Sequence, residues 1–570
     1  MTSASGGSSI LGLPDAVLRQ ICMQFCPHCG GEDCLGSSEL PDSFWGPEYF
    51  GTLGALAQVN VRVGRQAQAI RLHVFCGRRD SLPLLARSLV ERPGLAAHIS
   101  VVRLDDHDKD GGHGCILGEL ATPRNIGNLA ALVAPVMGDN TDLSGASGNQ
   151  HLLAPFKQLP AAEEPFFCAP GGGWMPAHTP EAMDGVANAR LNAFIVFNLA
   201  KNIKSIAILS EWPLALFADS TQGHMTINIG PLPTVENLRL GGSSSSSSNN
   251  NNGHSGPQKR MINMRKTTGL LAHLQTLSSL EIRGGDNTLS AAQVLACNPM
   301  ANLTALKLTA TSLAAVDDIL LCCRSGPLKH FHFSIPAGRE AAHNPGNDIQ
   351  GRQIIDRLVE YGFAATLKSL HIDTSASILF AADQEDIRRT FMTAHSLSDF
   401  RSLRHLSISA DSIYYPSGHP RVLLRDPNTG NERLAQRLCA FLPGSVQSVE
   451  ITGIYAIHKD DVLELARACF PMAKFVALKT VRLRGDVGDT LNDVYHDDDA
   501  SGTDESDSDA SDSDGWDSGS DWADGDMGDG PTVNEQVASL FAAAGVDYEF
   551  DTPEYYVDQC LGDLGMDPGA

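Results

Sequence analysis

The phrase "LSSLEI" at residues 277–282 decides the fold class, because eight other segments of the chain repeat its spacing. Leu277 stands three positions before Leu280, and Ile282 follows two positions later. Side chains alternate along a β-strand, so Leu280 and Ile282 share one face and the spacing predicts a short, half-buried strand. The other copies are "IKSIAI" (203–208), "VENLRL" (235–240), "LTALKL" (303–308), "LKHFHF" (328–333), "LKSLHI" (367–372), "LRHLSI" (403–408), "VQSVEI" (446–451) and "LKTVRL" (478–483).

Helix-like stretches separate the predicted strands. Their apolar residues recur three and four positions apart, which predicts amphipathic helices. A chain that alternates strand and helix predicts an α/β protein with a parallel sheet. The stretches are "SAAQVLACN" (290–298), "SLAAVDDILLCC" (312–323), "RQIIDRLVEYG" (352–362), "ERLAQRLCAFL" (432–442) and "DDVLELARACF" (460–470).

The alternation over residues 81–485 resembles leucine-rich repeats, in which strands line a concave sheet and helices cover the convex side. Between Leu280 and Val481, successive strand centres lie 25 to 43 residues apart, whereas regular repeats run about 20–29 residues. We therefore predict an irregular, leucine-rich-repeat-like solenoid. A mixed α/β domain with a parallel sheet is the alternative, because its buried strands give similar apolar phrases.

A different pattern opens the chain at residues 10–80. In "ILGLPDAVLRQICMQF" (10–25), apolar residues recur at helical spacing after Pro14, which suits a first helical turn. The stripe resumes in "TLGALAQVNVRVGRQAQAI" (52–70), after a loop insertion at residues 26–50. Two short helices cannot bury their apolar stripes alone, so this segment is typical of a docking module.

The runs "LPDAVLRQICMQF" and "LGALAQVNVRVGRQA" resemble an F-box, the module that binds the Skp adaptor of cullin–RING ubiquitin ligases. The resemblance implies that the chain is the substrate-recognition subunit of an SCF-type ligase, with a protein substrate held by the repeats and no catalysis of its own. An ordinary helical cap on a repeat scaffold without ligase association is the alternative. The implied adaptor-binding residues are Leu13, Pro14, Val17, Leu18, Ile21, Leu53, Leu56 and Val59.

Two cysteine-containing spacings make a zinc site a candidate within this module. Cys26 and Cys29 form a C-x2-C pair in "CPHCGGEDC", and His73 and Cys76 form an H-x2-C pair. Tetrahedral zinc takes four such ligands. A loop with incidental cysteines is the simpler interpretation of the same residues, and we expect no cofactor.

Charge and composition limit the function classes. The net charge of −25 comes from the 25 acidic residues after position 485, a region without Lys or Arg. The remaining body is neutral, which argues against a nucleic-acid partner. The sequence contains no apolar run of about 18 residues, so we expect no membrane span. Its 13 scattered cysteines favour a reducing compartment, the cytoplasm or nucleus. Hydrolase, kinase and nucleotide-binding motifs do not occur in the sequence, so we expect that the chain is not an enzyme.

Low-complexity segments complete the predicted organisation. Serine-rich or acidic composition predicts disorder in the leader, the linker and the acidic segment, because such segments bury too little apolar surface to fold. The glycine- and proline-rich loops are predicted to wrap on the solenoid or to be partly disordered. The acidic segment also allows a third hypothesis, a nuclear factor whose tail mimics nucleic acid for a basic partner. The segments are a leader (1–9), loops (105–190), a linker (241–258), the acidic segment (486–531) and a C-terminal tail (532–570) with a short helix in "TVNEQVASLFAAAG".

Overall fold

The chain forms two compact units, residues 1–349 with 353–367, and residues 350–352 with 368–570. Within the described ranges, no helix has both the length and the apolar composition needed to cross a membrane. The computed structural model describes residues 12–26, 29, 47–78, 81–105, 166–169, 173–176, 195–209, 232–241, 262–271, 273–286, 298–335, 351–374, 396–413, 437–454, 459–470, 474–485 and 533–551.

The first unit begins with three helices, α1 (Asp15–Gln24), α2 (Pro47–Val59) and α3 (Val61–Arg71). The sequence pattern predicted one continuous helix where α2 and α3 stand, and this prediction was wrong. Asn60 adopts an extended backbone (φ −161°, ψ 150°), and its side chain accepts a hydrogen bond from the Arg62 N–H at 2.8 Å. This N-cap ends one helix and starts the next.

The three helices share one apolar core. Close approach of α2 and α3 requires a residue without a side chain, since a Cβ on Gly64 would lie 2.6 Å from the Ala57 carbonyl oxygen. The core continues into the first strand of the unit. Its buried members are Cys22, Cys26, Leu53, Ala67, Ile70 and Val74.

The remainder of the first unit combines parallel strands with helices, which confirms the predicted α/β class, although strands and helices do not alternate strictly. Short 3-10 helices occupy 93–98, 298–302 and 363–365. The longer elements are β1 (Val74–Arg78), α4 (Ser81–Glu91), β2 (Val101–Asp105), β3 (Phe166–Ala169), β4 (Gly173–Pro176), β5 (Ser205–Ile208), β6 (Asn237–Gly241), β7 (Ile262–Asn263), α5 (Met264–Leu271), β8 (Ser279–Arg283), β9 (Gly285–Asp286), β10 (Ala305–Thr309), α6 (Leu313–Cys323), β11 (His330–Ser334) and α7 (Gly351–Glu360).

Seven of these strands form a parallel sheet in the order β1-β2-β5-β6-β8-β10-β11, which follows the chain without reversal. The repeated phrases stand in register, with Leu280 of β8 opposite Leu238 of β6 and Leu306 of β10. The apolar residues of the phrases are buried on one face of the sheet, and most of the residues between them carry polar side chains, with Ala207 and Ala305 as exceptions. The pattern of period two is therefore confirmed.

Backbone hydrogen bonds join the residues at the start of each strand, the strand entry, to the entry of the strand before it in the sheet. The carbonyl of Glu236, just before β6, accepts from the N–H groups of Ser278 and Ser279 at 2.8 and 3.0 Å. The carbonyls of His73, Ser100, Lys204 and Ser278 accept pairs of N–H groups in the same way. One carbonyl thus satisfies two donors at every step of the sheet.

Polar side chains reinforce the same steps. The hydroxyl of Thr276, three residues before β8, donates to the carbonyls of Pro233 and Val235 at 2.7 and 2.9 Å. The Asn302 amide, three residues before β10, donates to the Gln275 carbonyl at 3.1 Å. Equivalent bonds run from Asn202 to Ala97 and from Thr234 to Lys201 and Ile203.

Two smaller strand pairs accompany this sheet. β7 pairs with β9 in parallel, and β3 pairs with β4 in antiparallel fashion. The second pair lies within residues 105–190, where the sequence predicted only loops, so that prediction was wrong at these residues. Aromatic residues at Phe166, Phe167 and Trp174 favour strands, and they outweigh the surrounding glycines.

The second unit holds five parallel strands, again in chain order. Its last strand pairs with its neighbour through Thr480 opposite Asp547, although the sequence predicted only a helix after the acidic segment. A 3-10 helix occupies residues 397–399. The longer elements are β12 (Ser369–Asp373), β13 (His405–Ser409), α8 (Ala410–Ile413), α9 (Arg437–Phe441), β14 (Ser448–Thr452), α10 (Lys459–Arg467), β15 (Thr480–Arg484), α11 (Val533–Ala543) and β16 (Asp547–Asp551).

The α/β class and all nine phrase strands are confirmed. Helices were also predicted where α6, α7, α9, α10 and α11 lie, although α9 is described only from Arg437. Several predictions lie outside the described residues. These are the leader 1–9, most of the insertion 26–50, most of the segment 105–190, the helix at 290–297, the linker from 242 to 258 and the acidic segment 486–531.

Candidate functional site

The helical module, residues 13–71 as far as they are described, holds the predicted adaptor-binding residues. Leu18 and Leu53 are buried inside the module by other residues of this chain. Leu13, Ile21 and Leu56 are half-buried. The exposed members are Pro14, Val17 at 37% of its surface, and Val59 at 62%.

Helical spacing separates the buried and exposed residues of α1. Leu18 and Cys22 lie four residues apart on the buried face. Val17 and Ile21, also four apart, lie on the adjacent face. Pro14 precedes the first turn, and its carbonyl accepts hydrogen bonds from the N–H groups of Val17 and Leu18, so α1 begins immediately after it.

The corner between α2 and α3 exposes two valines. Val61 has 73% of its surface exposed and stands beside the N-cap, with Val59 on the other side. An apolar residue before an N-cap often packs on the fourth helical residue, but here that residue is Gly64, which has no side chain to meet it. The sequence analysis did not include Val61 among the adaptor-binding residues. Its position directly after a capping asparagine is the signal that could have identified it.

An ion pair links the two ends of the module. The Arg62 guanidinium on α3 contacts the Asp15 carboxylate at the start of α1. Both side chains are exposed, so the pair contributes little free energy of folding, about 0–1 kcal/mol.

The zinc candidates partly converge. Cys26, Cys29 and His73 bring their ligand atoms within 4.8 Å of one another. The Cys29 Sγ lies 3.2 Å from the His73 Nδ1. Cys26 has 2% of its surface exposed and His73 has 8%. The backbone of Cys76 lies in β1, while its side chain falls outside the described part of the chain.

At this cysteine–histidine cluster, defined as Cys26, Cys29 and His73, the surroundings of Cys29 favour its neutral thiol. Burial and the neighbouring Cys26 thiol raise the pKa of Cys29 to about 12. The positive charge of Arg19 on α1 acts in the opposite direction on that pKa. A dication at the cluster would reverse the balance, because metal coordination stabilises the thiolate.

A second polar cluster lies on the sheet of the first unit. The Glu281 carboxylate on β8 lies 2.8 Å from Arg283 Nε, 3.5 Å from Arg239 Nε and 3.8 Å from Lys307 Nζ. The Glu281 side chain is 7% exposed. Sequence reasoning missed this cluster, although Arg239, Glu281 and Lys307 each stand between the last two apolar residues of successive phrases.

Comparison with known proteins identifies no further functional residues. No family model matches the chain, and no curated protein sequence matches it. The assignment of a function therefore depends on the residues and contacts described above.

Proposed function

We propose that this protein is the substrate-recognition subunit of an SCF-type cullin–RING ubiquitin ligase, acting in the cytoplasm or nucleus. The helical module binds the Skp adaptor, and the strand arrays bind a protein substrate. The observation that carries the proposal is the pair of exposed apolar sites, Val17 on α1 and Val59 at the α2–α3 corner.

Exposed valines on short helices favour a contact with another protein. Val59 and Val61 each have more than half of their surface exposed to solvent. Each exposed apolar Å² costs roughly 25 cal/mol of free energy relative to burial. The adaptor contact includes Leu13, Pro14, Val17, Ile21, Leu56 and Val59. Leu18 and Leu53 support this surface from inside the module.

For the strand arrays we propose an irregular leucine-rich-repeat-like solenoid. The support is the strand order, which follows the chain in each unit without the reversal that doubly wound sheets show. The polar sheet face, with the Glu281 cluster as one part, is the surface we assign to the substrate. Its contribution is proximity, which raises the effective concentration of substrate lysines near the ligase.

Adaptor binding tests the proposal directly. Calorimetric titration of the full chain with purified Skp adaptor should give a saturable complex, and Val17→Asp with Val59→Asp should weaken it at least about 100-fold, because a desolvated carboxylate costs several kcal/mol. Aspartate suits the first turn of α1 and Val59 is mostly exposed, and circular dichroism checks that the double variant is folded before titration. A second variant, Leu13→Ala with Pro14→Ala, should abolish co-purification with the adaptor.

The matched control is Val476→Asp, which places the same charge on a valine that is 78% exposed and remote in sequence from the module. It should leave the adaptor affinity unchanged. Wild-type chain that is folded by circular dichroism yet shows no adaptor binding would refute the proposal.

One observation favours a second candidate, a repeat scaffold whose helices cap the sheet. Val74 of β1 belongs to the same buried cluster as Cys22 and Leu53, and Val101 of β2 packs against it. The helices therefore cover apolar residues at the first strands, as a solenoid cap does. The adaptor titration separates the two candidates, because a cap alone binds no adaptor.

A further inference from the structure

We propose that Cys26, Cys29 and His73 bind one zinc ion, which fastens the end of α1 to the start of the sheet in the first unit. This metal site does not depend on the adaptor proposal, since none of its three ligands is among the predicted adaptor-binding residues or the exposed valines. The elements it joins are distant in sequence but adjacent in space.

The ligand atoms have the separations that a zinc ion needs. Bond lengths of about 2.3 Å to sulfur and 2.0 Å to nitrogen place tetrahedral ligands roughly 3.5–3.8 Å apart. The three atoms lie within 4.8 Å of one another, and Cys29 Sγ and His73 Nδ1 are 3.2 Å apart. Moving the Cys29 and His73 side chains a few tenths of an ångström apart gives this pair the separation of two zinc ligands.

The backbone already holds all three residues. The Cys26 N–H donates to the Met23 carbonyl and the Cys29 N–H donates to the Cys26 carbonyl, each at 3.0 Å. The His73 N–H donates to the Ile70 carbonyl, and the His73 carbonyl accepts from Val101, each at 2.9 Å. These bonds fix the backbone from which the three side chains converge.

The donor set selects the type of ion. Two thiolates and one imidazole suit zinc, whereas magnesium and calcium take oxygen ligands. Two thiolate charges also neutralise a divalent ion, which lowers the cost of burying it.

Three protein ligands leave the fourth tetrahedral position to water or to a further side chain. Cys29 is half-buried, whereas Cys26 is buried, so the solvent side of the site lies toward Cys29. An ion can enter from this side. Structural sites of this kind contribute their binding free energy to folding.

Metal content and cobalt spectroscopy test the site. Full-length protein, purified with a non-chelating reductant and dialysed against metal-free buffer, should retain about one zinc per chain by plasma mass spectrometry. After removal of the zinc, added Co²⁺ should give the thiolate charge-transfer band and the visible bands of a tetrahedral site.

Single substitutions locate the ion. Cys29→Ser and His73→Gln should each weaken zinc binding at least about 100-fold, because each removes a direct ligand. Cys439→Ser is the matched control, since Cys439 is also half-buried and lies outside the cluster. It should leave the zinc content unchanged. Circular dichroism shows that each variant is folded before its metal is measured.

Three results would overturn the site. The first is wild-type protein that holds neither zinc nor cobalt. The second is zinc content that Cys29→Ser and His73→Gln leave intact, which would place the ion elsewhere. The third is a disulfide between Cys26 and Cys29 in protein kept under reductant, detected by alkylation and peptide mass spectrometry.

Discussion

The helical module and the parallel sheet of the first unit use apolar residues in opposite ways. In the sheet, Leu280, Ile282, Leu306 and their counterparts are buried, and most of the residues between them are polar. In the module, Val59 and Val61 stay exposed although they are the last residue of α2 and the first residue of α3. The difference teaches that apolar residues build the fold in one region and remain available for contact in the other.

A core aromatic in the sheet should show the largest effect. Phe333→Ala removes a fully buried ring from β11 and should lower the free energy of unfolding by about 3–5 kcal/mol. Urea denaturation followed by circular dichroism measures this loss. Leu84→Ala, at an exposed position on α4 of the same unit, should cost less than about 1 kcal/mol. Equal losses at the two positions would contradict the burial described for β11.

The Glu281 cluster should rank second. Glu281→Gln removes the carboxylate that faces Arg239, Arg283 and Lys307 in a largely buried position, and it should lower the free energy of unfolding by about 1–3 kcal/mol. The control is Glu91→Gln, which breaks the half-exposed pair with Arg87 and should cost at most about 0.5 kcal/mol. A loss no larger than in this control would show that the sheet face is solvated at Glu281.

A single polar bond between strand entries should cost less. Thr276→Val deletes the hydroxyl that donates to two backbone carbonyls and should lower the free energy of unfolding by about 0.5–1.5 kcal/mol. Thr276→Ser keeps the hydroxyl and should retain most of that stability. Two variants with the same urea midpoint would show that this hydrogen bond does not stabilise the sheet.

The exposed corner of the module should show the smallest change in stability. Val59→Ala trims a side chain that is mostly in solvent and should alter the free energy of unfolding by no more than about 0.5 kcal/mol. The same variant should weaken adaptor binding in the titration described above. A loss of stability above about 2 kcal/mol would instead assign Val59 to the fold and remove the contrast between the two regions.

The sequence predicted the strands well because their apolar spacing is local. A strand with two buried residues and one apolar residue before it can be recognised from six positions. β1 and β16 do not follow that phrase. In "DYEFD", acidic residues alternate with Tyr548 and Phe550, so the strand carries a weak apolar signal and gains its pairing from β15.

The candidate sites were harder to predict than the strands, because they depend on tertiary packing. The C-x2-C and H-x2-C spacings predicted which residues could bind zinc, but the approach of His73 to Cys29 comes from the packing of α1 on α3 and β1. The division at Asn60 was also missed, because the pattern of apolar residues continues through it while the capping side chain breaks the helix. Burial inside the module, as at Leu18, could not be read from spacing alone.

The hydrogen bonds at the strand entries explain how a regular sheet tolerates irregular chain lengths. They fix the register at one point per strand, so the chain between two strands can lengthen without moving either. Val101 of β2 still stands opposite Ser205 of β5, although about a hundred residues separate them. Each doubling of a connection adds only about 0.6 kcal/mol of closure entropy. The sheet therefore provides natural insertion points between fixed anchors, where new recognition segments can be acquired without redesign of the fold.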